Sequence, residues 1–343
     1  MVASATVRVM SPEEIVSRRV GETPFLHWPE PATLFAEREM RLRQLASGHA
    51  MGDYLRFMAD LVHEQQVQLG LVPAVPLPDA AAIERAALTG LPPLSAADWP
   101  RDPAWHGVLR ELARALQASA PAGAMATLER LLQADEVYLE RQADALLNRL
   151  STGLDLAAAP VLAAALQVYW THMLLGLRQR ETVQGQLVGK IDDETVCPCC
   201  GSQPTASITR TAGGASGQRY LHCSLCSLQW HMGRIKCAHC LSTKSLAYQS
   251  VEAAGAPQAT LDADTPSSRA ATAKLQAETC DECGHYLKIV HTERDPFVDP
   301  AADDLASLTL DLLVSETGKQ RHGVNFMLLF GEPDAPPPAP GAG

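Results

Sequence analysis

The sequence predicts a multidomain α plus small-β protein: an N-terminal helical bundle, then two zinc-ribbon subdomains, then a C-terminal helix. Three observations predict it. Residues 1–186 follow helical periodicity and contain no cysteine. All nine cysteines then fall between Cys197 and Cys283, among short β-prone pieces separated by glycine-rich breaks. Helical patterning returns after Asp299. The expected boundaries are 1–186 for the bundle, 187–233 and 234–298 for the two ribbons, 299–330 for the C-terminal helix and its extension, and 331–343 for a disordered tail. A chain of 343 residues has length for two or three domains. Its 46% hydrophobic content is enough for a buried core.

The helices follow in order. "PATLFAEREMRLRQLASG" opens on Pro31 and closes at Gly48, with Leu34, Phe35, Leu42 and Leu45 near helical spacing. "DYLRFMADLVHEQQVQLG" takes Asp53 as N-cap and puts Leu55, Met58, Leu61 and Val62 on one face. Asp79–Gly90, Pro103–Ala118, Ala122–Leu150 (as one helix or two) and Pro160–Leu177 read the same way. Proline- and glycine-rich connectors join them, giving six to eight helices in a bundle. The apolar run Leu156–Trp170 is too short for a bilayer span and carries Pro160. The first 186 residues are expected to fold without the ribbons.

Beyond Lys190 the β-prone pieces are "ASITRT", "RYLHC", "LQWHM", "LAYQSV" and "YLKIVHT". "AGGASG", Ala212 to Gly217, reads as a hairpin loop. In "DPAADDLASLTLDLLVSETG" a single helix is expected to bury Leu305, Leu308, Leu312 and Leu313 and to end at Gly318. Asp303 and Asp304 read as helix N-terminal charge. The tail "EPDAPPPAPGAG" reads as disordered.

The formal net charge of −11 disfavours attraction to nucleic-acid phosphate or anionic lipid. Residues 190–300 hold ten Lys/Arg against twelve Asp/Glu, so the ribbons present no basic excess. The first twenty residues lack a basic start followed by an apolar core, so no signal peptide is visible and a cytoplasmic location without membrane insertion is expected. Thiols stay reduced there, which points the cysteines to metal binding or redox chemistry rather than disulfides.

Eight of the cysteines form four C-x-x-C pairs: Cys197/Cys200, Cys223/Cys226, Cys237/Cys240 and Cys280/Cys283. Such a turn brings two thiolates onto one cation, and Gly201 and Gly284 suit the left-handed residue that finishes it. Four thiolates make the tetrahedral S₄ set of zinc or of rubredoxin-type iron, so eight ligands imply two sites. Joining neighbouring pairs would unite knuckles on adjacent hairpins; an interleaved arrangement is the alternative. "SLQWHMGRIK" would bridge the two ribbons, with Trp230 in the ribbon core. Cys199 is a spare, partly exposed thiol on this reading, and His222, His231, His239 and His285 surround the sulfurs as hydrogen-bonding residues. Full thiolate sets leave no open metal position for catalysis, and no P-loop, G-x-G-x-x-G, G-x-S-x-G or H-E-x-x-H occurs.

Taken together, "CPCCGSQPTAS", "RYLHCSLCSLQWHMGRIKCAHC", "CDECGHYLKIVHTERDP" and "ADDLASLTLDLL" resemble the formate dehydrogenase accessory protein family, FdhE. The resemblance is strong over about residues 190–330; the helical half matches in length and character. One departure is Cys199, where the family tends to have another residue. The resemblance implies a non-enzymatic cytoplasmic assembly factor with two rubredoxin-like ribbons. It would associate with the formate dehydrogenase catalytic subunit before export. The implied metal ligands are Cys197, Cys200, Cys223, Cys226, Cys237, Cys240, Cys280 and Cys283, holding two metal ions per chain, with iron favoured and zinc possible. A rubredoxin-like electron carrier and a nucleic-acid-binding zinc ribbon are the alternatives.

Overall fold

The computed structural model describes residues 23–184, 187–189, 191–212, 215–251 and 273–329. The expected tail and the tip of the Ala212–Gly217 loop lie outside those residues. A short strand β1 (Leu26–His27) precedes seven helices: α1 (Leu34–Leu45), α2 (Gly52–Leu69), α3 (Ala80–Leu88), α4 (Ala104–Leu116), α5 (Ala122–Gln133), α6 (Glu136–Leu147) and α7 (Ala159–Gln184). Local chemistry sets several ends. The Asp79 carboxylate caps α3 by accepting from the Ala82 N–H at 2.7 Å, and Asp135 caps α6 by accepting from Tyr138 at 2.7 Å. Extended backbone at Ala134 separates α5 from α6. Helix α2 begins before the expected cap: Met51 is its N-cap and Asp53 sits in the first turn, where its charge still suits the helix dipole.

Helix α7 is the axis of the bundle. The apolar run continues past Trp170 in this helix, so that Ala159–Glu181, 23 residues, is long and apolar enough to cross a membrane by length and composition alone. Pro160 stands in the first turn, where its missing N–H costs no helical bond. In the structure 78% of an 18-residue portion of that stretch is buried, packed by its neighbours. Gln65 of α2 donates to the Ala164 carbonyl and to Gln167, both at 3.0 Å, and the Trp170 indole donates to Leu94 O at 3.0 Å. These bonds satisfy polar groups in an otherwise apolar interior.

The second half is one mixed sheet. Its further strands are β2 (Pro204–Ala212), β3 (Ala215–Cys223), β4 (Gln229–His231), β5 (Leu246–Gln249), β6 (Leu275–Cys280), β7 (His285–His291) and β8 (Gln320–Arg321). The order is β1-β4-β3-β2-β7-β6-β5, with β8 also beside β7. β2 and β3 form the expected hairpin, and β2 pairs in parallel with β7 through Ser207↔Ile289 to Thr209↔His291. The two cysteine-bearing segments therefore share one sheet. An ion pair reinforces the junction: Arg219 on β3 meets Glu278 on β6 at 2.7 Å, and both side chains are buried. Arg219 also donates to the carbonyls of Gly233 and Lys236, which holds down the bridge between the cysteine segments.

The expected single C-terminal helix is two: α8 (Pro300–Leu305) and α9 (Leu308–Glu316). Asp299 caps α8, accepting from the Ala301 and Ala302 N–H groups at 2.9 and 2.8 Å. Asp303 stands in the first turn of α8 as expected, and both Asp303 and Asp304 are buried ion-pair partners. Asp303 takes Arg41 of α1 at 2.6 Å; Asp304 takes Arg321 at 2.7 Å and Lys288 at 3.3 Å. Leu305 is buried as expected, but Leu312 and Leu313 are exposed and Leu310 and Val314 are buried instead. Gly318, at φ 79, follows the end of α9.

One apolar core runs through bundle and sheet. It joins Phe35, Leu55, Trp105 and Trp170 to Cys197, Cys199, Cys200, Cys223 and Cys226, and to Leu305 and Phe326 near the C-terminal end.

Candidate metal centres

Each C-x-x-C pair sits in a tight turn whose backbone the sequence makes locally. In the first, Cys197 N–H donates to Ser202 O at 2.9 Å and Gly201 N–H to Cys197 O at 2.8 Å, with Gly201 at φ 73. Gly284, at φ 71, closes the fourth turn in the same way, donating to Cys280 O at 3.0 Å. The other two knuckles place non-glycine residues in the left-handed region, Ser227 at φ 60 and Leu241 at φ 61. Glycine spacing alone therefore signalled only half of the closures. Backbone N–H groups face the sulfurs: Leu225 and Cys226 donate to Cys223 Sγ at 3.3 and 3.4 Å, and His239 N–H donates to Cys237 Sγ at 3.4 Å.

The neighbouring pairs converge. Cys197, Cys200, Cys223 and Cys226 form one group and Cys237, Cys240, Cys280 and Cys283 the other, with sulfurs within 4.8 Å of one another in each. In the first group Cys197–Cys226 is 3.5 Å, Cys200–Cys223 3.4 Å and Cys200–Cys226 3.7 Å. In the second, Cys237–Cys283 is 3.7 Å and Cys240–Cys280 3.8 Å. Sulfurs at the corners of a tetrahedron with metal–sulfur bonds of ~2.3 Å stand about 3.8 Å apart, whereas a disulfide needs about 2.0 Å. Each group fits a tetrahedral ion and could hold one.

Proton chemistry leads to the same donor set. Burial, reinforced by neighbouring thiols, pushes Cys197 and Cys226 well above the usual thiol range. Burial also opposes ionisation of Cys200, but hydrogen bonds from Cys197, Cys223 and Cys226 overcome it and hold that thiol well below its ordinary value. The second group repeats the pattern. Burial raises Cys283 to about 12, while hydrogen bonds from neighbouring groups outweigh desolvation and lower Cys280. Without a cation such a cluster stabilises one thiolate by leaving its neighbours protonated. A divalent ion removes that restriction by supplying the countercharge.

The groups differ in access. All four sulfur residues of the first are buried; in the second Cys240 is exposed and Cys283 half-buried. Cys199 corrects the sequence reading, because it is fully buried rather than partly exposed, and its carbonyl accepts from Leu94 N–H at 2.9 Å. The spare thiol thus packs the first knuckle against the bundle. Trp230 is buried as expected and donates to Glu194 O at 2.9 Å. The histidines divide: His239 and His285 stand beside the second group as expected, whereas His222 turns to other partners. His222 bonds Arg38 and Gln229 at 3.3 Å each, and no sulfur. His239 and His285 lie near Cys283, but their rings are stacked at 3.8 Å and inclined by only 14°. An imidazole lone pair lies in the ring plane, and two nearly parallel planes cannot both point at one ion. These rings cover the second group without replacing its sulfurs. The buried Arg41–Asp303 and Arg219–Glu278 pairs were missed because charged residues in a sequence read as solvated faces.

Fold and site together define a helical-bundle protein whose sheet carries two tetracysteine centres. Sequence models of the family match in three consecutive parts: "FdhE, N-terminal" over residues 23–186, "FdhE, central domain" over 196–234 and "FdhE, C-terminal domain" over 235–328. The chain belongs to the FdhE family. It is 42% identical to the "Protein FdhE homolog" of Pseudomonas aeruginosa over 308 residues, covering 90% of this chain and 94% of that one. The homolog from Cronobacter sakazakii is 36% identical over 331 residues, covering 95% and 99%. The crystal structure of the FdhE protein from Pseudomonas aeruginosa superposes with a TM-score of 0.76 at 41% identity, covering 90% of this chain and all of that one.

Proposed function

We propose that the chain is a cytoplasmic accessory factor in formate dehydrogenase biogenesis that binds the catalytic subunit before export and is not itself an enzyme. Cys197, Cys200, Cys223 and Cys226 hold one metal ion, and Cys237, Cys240, Cys280 and Cys283 hold a second. The observation that carries the reading is the match to all three parts of the FdhE family, with both tetracysteine groups intact. The net charge of −11 supports a protein client over a nucleic acid. Iron is the preferred metal, as the family resemblance implies. The S₄ set accepts zinc equally well, and zinc outcompetes ferrous iron at equal availability.

The deciding experiment is affinity capture of the tagged chain from anaerobically grown cells. The formate dehydrogenase catalytic subunit is expected in the eluate. Its absence, with only ribosomal or transcription proteins retained, sinks the reading. A second reading, electron transfer, is favoured by one observation: the second centre reaches the surface at Cys240. It requires iron that cycles between oxidation states and a redox partner rather than an immature client.

A further inference from the structure

A cleft of about 470 Å³, lined by none of the nine cysteines, lies between the start of α1, strands β2 to β4 and the turn entering α8. Arg210 of β2 lines it. The Arg210 Nε donates to Gln229 Oε1 at 2.7 Å, and among the described residues its two Nη groups make no hydrogen bond and no carboxylate lies within ion-pairing distance. The neighbouring Arg38 differs, because Asp299 neutralises it at 3.1 Å. A half-buried guanidinium has lost part of its hydration, and an anion offsets that loss best because it supplies countercharge as well as acceptors. His27 lines the same cleft with its Nε2 buried and unpartnered.

The remaining lining says which anion. Met40 and Phe297 are large apolar side chains left 43% and 56% exposed on the cleft, beside Trp28. Glu30 and Glu37, both exposed, stand on it too. Two carboxylates beside one free cation disfavour a phosphate dianion and tolerate a single carboxylate. We propose that this cleft receives a polypeptide segment in which an acidic side chain adjoins an apolar one. The carboxylate takes the two Nη donors of Arg210 as a fork, and the apolar neighbour covers Met40 and Phe297. The proposal rests on the reading of the chain as a partner-binding protein, but not on which protein the partner is.

The test is selection of a random heptapeptide display library on the full-length protein, with Arg210→Gln, Arg210→Lys and Glu37→Gln variants in parallel. Peptides with Asp or Glu beside Leu or Phe are expected to enrich on the wild type. Their retention is expected to fall about tenfold on Arg210→Gln. The Lys variant, which keeps charge without the fork, is expected to lie between, and Glu37→Gln to retain more than the wild type. No acidic enrichment, equal retention on Arg210→Gln, or displacement by inorganic phosphate but not by acetate at equal ionic strength overturns the proposal. Should Arg210→Gln fail to fold, unchanged retention on the surface variant Glu37→Gln overturns it alone. Capture of formate dehydrogenase by the wild type stands or falls separately from these outcomes.

Discussion

The side-chain amide of Gln167, midway along α7, donates a 2.7 Å hydrogen bond to the carbonyl of Ser224, which lies between Cys223 and Cys226. The axis of the bundle is thereby bonded to a knuckle of the first centre. Leu94 and Ala96 add a second link, donating to the carbonyls of Cys199 and Cys200 at 2.9 and 2.8 Å.

Replacing Cys197 and Cys200 together with serine is therefore expected to weaken the helices as well as the ribbon. In isolated zinc fingers the metal supplies ~10–16 kcal/mol of folding free energy. A fraction of that is already a large part of a typical margin of about 5–15 kcal/mol. Circular dichroism melting at a helical wavelength is expected to show one transition at markedly lower temperature. A bundle that melts at the wild-type temperature would show that the core shared by Trp170 and Cys199 is not energetically shared.

Metal release is expected in two phases. Cys240 is exposed and Cys283 half-buried, whereas every residue of the first group is buried. A chromogenic chelator is expected to strip the second centre first. The same experiment on Cys240→Ser is expected to show only the slow phase. Protein made anaerobically with iron is expected to be red and to bleach on reduction, because ferric thiolate absorbs visible light. A colourless preparation with about two zinc ions per chain removes the iron assignment.

The Arg219–Glu278 pair gives a mutational cycle. Both side chains are buried, so removing Glu278 alone leaves an uncompensated cation between β3 and β6. Glu278→Leu is expected to cost about 3–5 kcal/mol in urea unfolding. Replacing both partners with apolar residues of similar volume is expected to recover most of the loss. Additive losses in the double variant would show that the two residues act separately.

His291 sets an acid limit. Burial first, and then the Arg294 charge, lower its pKa from 6.5 to about 4. The Nε2 lies 2.8 Å from Gln276 and the Nδ1 3.2 Å from the Thr209 hydroxyl. The unfolded chain takes up this proton near pH 6.5 and the folded one does not, so stability is full above pH 6.5 and falls between about pH 6.5 and 4. The loss expected by pH 5 is on the order of 2 kcal/mol. Denaturation midpoints across that range are expected to be flatter for His291→Gln.

Much of the site was legible because thiol spacing is itself chemistry: four C-x-x-C pairs have the spacing of metal ligands whatever surrounds them. The helices were legible from apolar spacing. Strand β6, "LQAETC", was not, since Gln276 and Glu278 interrupt the apolar run expected of a buried strand. They are buried because Glu278 has Arg219 and Gln276 has His291. Helix α9 shows how a charge can choose a face. Ser307, Leu310, Asp311 and Val314 share one stripe. Asp311 is drawn inward by Lys288 at 2.5 Å and Tyr286 at 2.8 Å, which turns Leu312 and Leu313 to solvent. No local rule could choose between those faces, because the partners lie on β7.

The pairing of β1 with β4, Leu26↔Trp230 and His27↔Gln229, has a consequence for synthesis. Tyr220 adds to it by donating to Pro24 O at 2.9 Å. The segment that begins the described chain cannot reach its place until the first cysteine segment has left the ribosome. At about 5–20 residues per second that interval is roughly 10–40 s. Strand β2 then waits again for β7, its parallel neighbour. Helices can form as they emerge, but the sheet closes only near the end of translation. A nascent chain halted before Cys280 would therefore hold a nearly complete bundle with its β1 segment unpaired or only newly paired, and β2 open along one edge. That state is the one in which proteolysis or chaperone capture would compete with completion of the second centre.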